Sequence, residues 1–192
     1  MQYSDEQREE ARQRLLSGIG RGFRRHGYSG IGVDGLAKAA GVTSGAFYSH
    51  FRSKTEAFER AVIDGMDELA QGVAGFQLEY GADWIVHFVD FYLGVKRTCD
   101  LGQACALQSL GPEIMRAGDD ARGMYQRQMM VVIEQVALKM PHATAALRTE
   151  RAWALMSLLS GAVIAARSMQ DAAVSDHISA AARQAALMIA AA

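Results

Sequence analysis

Apolar positions recur three and four residues apart through most of the chain, and no segment keeps up the strict alternation of a half-buried strand. Ala11, Leu15, Ile19 and Phe23 predict a first helix over residues 4–26, with Ser4 and Gln7 as its capping box and Asp5 and Glu6 at the positive end of its dipole. Arg24, Arg25 and His26 close it before Gly27; helix capping and phosphate contact are both open to these cations. Phe58, Val62, Met66, Leu69 and Val73 predict another helix, ending near Gly72–Gly75 ahead of a loop at 77–81. After Asp83 as cap, Trp84, Phe88, Phe91 and Val95 run beside Ile85, Val89 and Tyr92, an arc wide enough to bury a helix from Trp84 to about Lys96 on several sides. His87 falls within it and reads as a hydrogen-bonded core residue before a ligand contact. Further helices are expected over Gln103–Arg116, disturbed by Pro112, then Asp119–Met140, Ala145–Met169 and Ser175–Ala190. The pattern predicts an all-α chain of about nine helices.

Residues 33–51, VDGLAKAAGVTSGAFYSHF, carry the densest local signals. They read as a helix to Ala40, a tight turn at Gly41-Val42-Thr43 and a short helix from Ser44 to His50. Glycine takes the left-handed conformation such a turn needs, and Thr43 or Ser44 supplies an oxygen to cap the second helix. Leu36, Ala37, Val42, Phe47 and Phe51 are spaced to meet between two crossed helices, with Ala37 at the closest approach. This is a helix-turn-helix pattern, whose second helix can enter a DNA major groove. Ser53 and Glu56 then form a capping box for the next helix.

The run AAGVTSGAFYSHFRSKTEAF, preceded by Gly27-Tyr28, resembles the DNA-binding domain of the TetR family of bacterial repressors. The resemblance covers about the first quarter of the chain. It implies a three-helix reader, residues 1–52, joined to a larger helical domain, residues 53–192, that dimerises and binds a small molecule which releases DNA. It also implies DNA-facing roles for Thr43, Ser44, Gly45, Tyr48 and His50, and a phosphate-gripping role for Lys54. Three positions depart from the common pattern: Gly32 stands at the usual Thr or Ser cap, Gly35 replaces an acid, and Ser44 replaces a Lys or Arg. Short Ser44 and Gly45 cannot make a long bidentate reach to guanine.

Charge supports this only mildly. Residues 1–60 hold 10 Lys and Arg against 7 Asp and Glu, whereas residues 61–192 hold 10 against 14. A basic head on an acidic body suits phosphate contact at the head. Neither a basic-then-apolar leader nor an apolar run near ~18 residues is evident, so a cytoplasmic chain with no membrane partner is expected. Two cysteines, Cys99 and Cys105, lack companions at metal spacing, so no metal site and no cofactor is expected.

Candidate chemistry in the body is of two kinds. Met66, Trp84, His87, Phe88, Phe91, Tyr92, Gln108, Met129, Ile133, Trp153 and Met156 would line a cavity for an aromatic or lipophilic effector, in a body also rich in methionine at Met115, Met124, Met130 and Met140. Flexible core packing is at least an equal reading of any one methionine. Cys105 opens the segment CALQSLGPE, which resembles one in TetR-type repressors of electrophile-detoxifying genes, where this cysteine is the sensor. A buried structural thiol is the competing reading. In the closing helices Leu155, Leu159 and Val163, with Ile178, Ala181, Ala185 and Met188, suit a twofold interface that spaces two readers along DNA. The leading expectation is a homodimeric repressor of a neighbouring operon, released from a palindromic operator by a small molecule; electrophile sensing at Cys105 is the alternative. A helical adaptor or enzyme is the remote one, since no nucleophile triad, paired carboxylates or phosphate-cradling loop is evident.

Overall fold

The computed structural model describes residues 5–141 and 144–191. Its helices are α1 Asp5–His26, α2 Val33–Ala39, α3 Ser44–His50, α4 Lys54–Tyr80, α5 Trp84–Leu93, α6 Val95–Thr98, α7 Ala106–Ile114, α8 Asp119–Leu138, α9 Ala145–Arg167 and α10 Ala172–Ala191. Single 3₁₀ turns lie at Gly81–Asp83 and Leu101–Gln103, and the described residues contain no strand. The fold is all-α. The Ser4–Gln7 box and the side chains of Asp5, Glu6 and Ala11 lie outside the described residues.

The chain divides into two compact units. The first comprises residues up to Gly65 with Asp100–Tyr125; the second comprises Met66–Cys99 and the residues from Gln126 onward. The reader falls within the first, where Leu15, Ile19, Phe23, Leu36, Ala37, Phe47 and Phe51 form the core. Gly18 permits its closest crossing: a Cβ there would lie 2.4 Å from the Ala40 Cα, so α1 meets the end of α2 backbone to backbone. Arg24 donates through Nε to the Gly102 carbonyl (2.9 Å), and Arg25 pairs with Asp100. Both cations of the α1 terminus are therefore turned to residues 100–102.

The second unit departs from expectation in four places. Helix α4 does not stop at Gly72–Gly75 but runs on to Tyr80. Val73 and Gln77 are buried there, and Gln77 exchanges hydrogen bonds with Gln135, donating to its carbonyl (2.8 Å) and accepting from its amide (2.7 Å). The expected helix Trp84–Lys96 breaks at Gly94, and Val95 is 55 % exposed. The Leu93 carbonyl freed by the break accepts from Arg97 Nε (2.8 Å) and Ser179 Oγ (3.2 Å). Asp83 makes no side-chain cap bond to α5. Helix α10 starts three residues early, because Asp171 accepts from the Ala173 N–H (2.8 Å) while Ser175 accepts from Arg97. In the first unit, likewise, the helix expected from Gln103 begins at Ala106 with Cys105 as its N-cap residue.

Candidate nucleic-acid interface

The turn before α3 is held by backbone bonds and one cap. Gly41 has φ 71°, its N–H reaches the Lys38 carbonyl (3.1 Å), and the Val42 N–H reaches the Ala37 carbonyl (2.9 Å). Thr43 then caps α3, its Oγ1 accepting from the Ala46 N–H (3.2 Å). Of the seven α3 residues only Phe47 is buried, at 0 % exposure. It anchors the helix through Phe51 and carries the Tyr48 ring edge-on at 5.5 Å, leaving Tyr48 58 % exposed. Thr43, Gly45, Ser49 and His50 are exposed along the same short helix and its cap.

Two of the expected contacts have partners inside the protein. Ser44 donates to Asp34 Oδ1 at 2.5 Å, which ties the start of α3 to α2. Lys54 places its ammonium 4.5 Å from the centre of the Tyr28 ring, and the Tyr28 hydroxyl meets Thr55 Oγ1 at 2.9 Å. An acid in α2 and a serine just after the turn were visible in the sequence, yet their spacing of ten residues matches no local hydrogen-bonding pattern. Ser53 and Glu56 form the capping box with one change of register: Ser53 accepts from the Glu56 N–H (3.1 Å), while Glu56 reaches back to the Arg52 N–H (2.7 Å). Gly35 has its own steric reason, since a Cβ there would lie 2.8 Å from Ile31 Cγ1.

The body residues separate into distinct groups. Cys105 and Gln108 belong to the first unit, at 7 % and 5 % exposure. Both polar atoms of the Gln108 amide are buried without a hydrogen-bond partner. Tyr125 lies close by in the same unit, its hydroxyl 3.2 Å from where a Gly111 Cβ would stand. Its phenol is pushed up to about 12 by burial first and by the charge of Cys105 second. In the second unit Met66, Trp84, Phe88, Tyr92, Met129, Ile133 and Met156 are buried. Phe88 touches the rings of Phe76, Trp84 and Tyr92 at 5.7, 6.0 and 5.6 Å, and Phe91 is half-buried against Phe76 at 5.3 Å. The indole of Trp84 donates to the Lys139 carbonyl (3.0 Å).

Several assignments are corrected. His87 is exposed and stacks on Tyr80 at 3.9 Å, so it is no core histidine. Trp153 is 37 % exposed, and Met115 and Met130 are 74 % and 39 % exposed, so these side chains face outward. Leu155, Leu159 and Val163 are each at 0 % exposure within the single chain and offer no surface to a second copy. Helix α9 instead exposes Trp153, Ser157, Gly161 and Ile164. On α10, Ala181 and Met188 are exposed and Ile178 and Ala185 half-buried, with exposed Val174 continuing the stripe. No described helix is long and apolar enough to cross a membrane, and the described residues hold no cluster of three metal-ligating side chains.

Residues 15–61 match the family model of the bacterial regulatory proteins, tetR family. The chain is 28 % identical over 116 residues to the transcriptional repressor DhaR of Mycobacterium sp. strain GP1, covering 60 % of this chain and 58 % of that one. It is 39 % identical over 75 residues to the transcriptional regulator AcrR of Shigella flexneri, covering 38 % and 33 %. These matches thus span between a third and three-fifths of the relatives' own lengths. The fold is similar to the crystal structure of the reduced form of E. coli NemR, with a TM-score of 0.73 at 18 % identity over 91 % of this chain and 96 % of that one. Residues 15–61 are thus a DNA-binding reader of the tetR family of bacterial regulatory proteins, set in an all-α fold that is similar to NemR over most of its length.

Proposed function

We propose that the chain acts as a homodimer that represses a neighbouring operon by binding a palindromic operator through α3, and is released by a small lipophilic or aromatic effector. The observation that carries the reading is the α3 surface: one aromatic anchor inside, with Thr43, Gly45, Tyr48 and His50 outside. Gly45 adds a specific argument. A Cβ there would meet nothing closer than Thr43 Oγ1 at 3.8 Å, so the protein's own packing does not demand glycine, whereas close approach to a phosphate backbone would. Tyr48 reaches phosphate or base edge, and Lys54, steadied on the Tyr28 ring, grips phosphate at the start of α4.

The effector reading draws support from the aromatic and methionine side chains gathered in the second unit. Release requires that the effector bind the DNA-incompetent state better, and a coupling of about 1–3 kcal/mol changes operator affinity several-fold or more. Helix α4, one continuous element from Lys54 to Tyr80, is the natural transmission arm. The alternative, thiol sensing at Cys105, rests on its place as N-cap residue of α7, where a helix dipole favours a thiolate. Its burial at 7 % exposure opposes it, and reversible effector binding is preferred.

Fluorescence anisotropy with the DNA upstream of the chain's own gene tests the proposal. The wild type should bind with strong salt dependence, Tyr48→Ala should lose at least tenfold, and Lys54→Ala should lower the salt slope by about 1. Absence of binding at low salt would sink it. Cys105→Ser that still responds to the inducer removes the thiol from the mechanism.

A further inference from the structure

A cleft of about 450 Å³ lies within the first unit, away from the α3 surface residues. One wall is the Tyr28 corner with the start of α4, and the other is the corner between α7 and α8. Phe58 and Ala121, at 4 % and 8 % exposure, contribute its apolar part. Tyr28 stands edge-on to Phe58 at 5.2 Å and is pinned by its bond to Thr55. The volume falls inside the usual range for small-molecule sites, roughly 300–1,000 Å³.

Charge selects the ligand. Glu59, Glu113 and Asp120 line the cleft against a single guanidinium, Arg116. Counting the Lys54 ammonium that sits on the Tyr28 ring, three carboxylates still face two cations. Glu113 and Glu59 are only half-exposed, so water screens them less than it would a free surface charge. Glu113 also rests against the backbone at the end of α1: its Oε1 is 2.5 Å from where a Cβ of Gly27 would be. We propose that this cleft is a second ligand site, taking a small lipophilic cation such as an arylalkyl ammonium. Its apolar body lies against Phe58 and Ala121, and its charged head lies among Glu59, Glu113 and Asp120. Occupancy bridges the Tyr28–Thr55 corner to residues 113–121, and so stiffens the support of the reader within the same unit.

The test uses the full chain, isotope-labelled, titrated with benzyltrimethylammonium and, separately, with the anionic 3-phenylpropionate. The cation should shift the amide resonances of Tyr28, Ala117, Gly118 and Ala121 saturably, and the anion should not. Glu113→Gln with Asp120→Asn keeps shape while removing two charges and should weaken the cation at least threefold. Ala117→Phe fills the cleft and should weaken it tenfold or more; should that variant fail to fold, the isosteric pair carries the test alone. Equal shifts from the anion, shifts centred elsewhere, or affinity untouched by the charge-neutral pair would overturn the proposal. The readout is ligand binding, so it stands or falls independently of whether α3 binds an operator.

Discussion

Gln108 and Tyr125 are the residues whose surroundings are least settled by packing alone. An amide buried at 5 % exposure with both polar atoms unpaired costs about 1–3 kcal/mol of desolvation. Gln108→Met keeps the volume and removes the polar atoms, so it should raise stability by about 1 kcal/mol, read as a higher denaturant midpoint at unchanged slope. The same change should blunt the effector response if the amide holds the effector; a loss of stability would show that the amide is satisfied in solution. Tyr125 titrates at about 12, above the ordinary phenol value of 10, mainly through burial. The folded state therefore holds its proton where the unfolded chain has lost it, and stability should fall as pH rises from about 10 to about 12. Tyr125→Phe should flatten that part of the alkaline stability curve, measured by chemical denaturation across the range.

At the scale of elements, the crossing of α1 on α2 and the cap of α3 make opposite demands. Gly18 has no room: a Cβ would press to 2.4 Å from the Ala40 Cα, and backbone cannot step aside. Gly18→Val should cost about 1–3 kcal/mol or more and should lower DNA affinity by tilting the reader; circular dichroism melts check the first and anisotropy the second. Thr43→Ala removes only the cap bond to Ala46, so about 1 kcal/mol should be lost with the fold retained. A Thr43→Ala melt indistinguishable from wild type would mean that the backbone turn alone holds α3. The two variants separate what the turn contributes from what helix contact contributes.

For the whole molecule, the proposed homodimer turns on which face meets a second copy. On the single chain α9 leaves Trp153, Ser157, Gly161 and Ile164 outside, and α10 leaves a stripe from Val174 through Ala181 to Met188. A Cβ at Gly161 would meet nothing within 4 Å, so a side chain there fits the isolated subunit. Gly161→Glu should fold at least as well as wild type, given the poor helix propensity of glycine, yet should place like charges across a twofold axis. Light scattering should find the wild type at twice the mass of one chain and the variant at one. A Gly161→Glu protein that remains dimeric moves the interface off this face.

What the linear order of residues determined, it determined through short-range chemistry. The turn at Gly41, the Thr43 cap, the Ser53–Glu56 box and the Phe47–Phe51 anchor all act within four residues of one another, so the reader was legible before any fold was known. Tertiary structure decided the rest, because its causes are remote in sequence. Gln135 carries α4 past two glycines, and Ser179 reaches the carbonyl freed where α5 breaks at Gly94. Helix α9 is apolar or small nearly all the way round from Ala152 to Ala166, so periodicity could not choose between the Leu155–Leu159–Val163 face and the Trp153–Gly161–Ile164 face. The neighbouring helices chose by burying the first, and the same packing left His87 outside while enclosing Phe88 beside it.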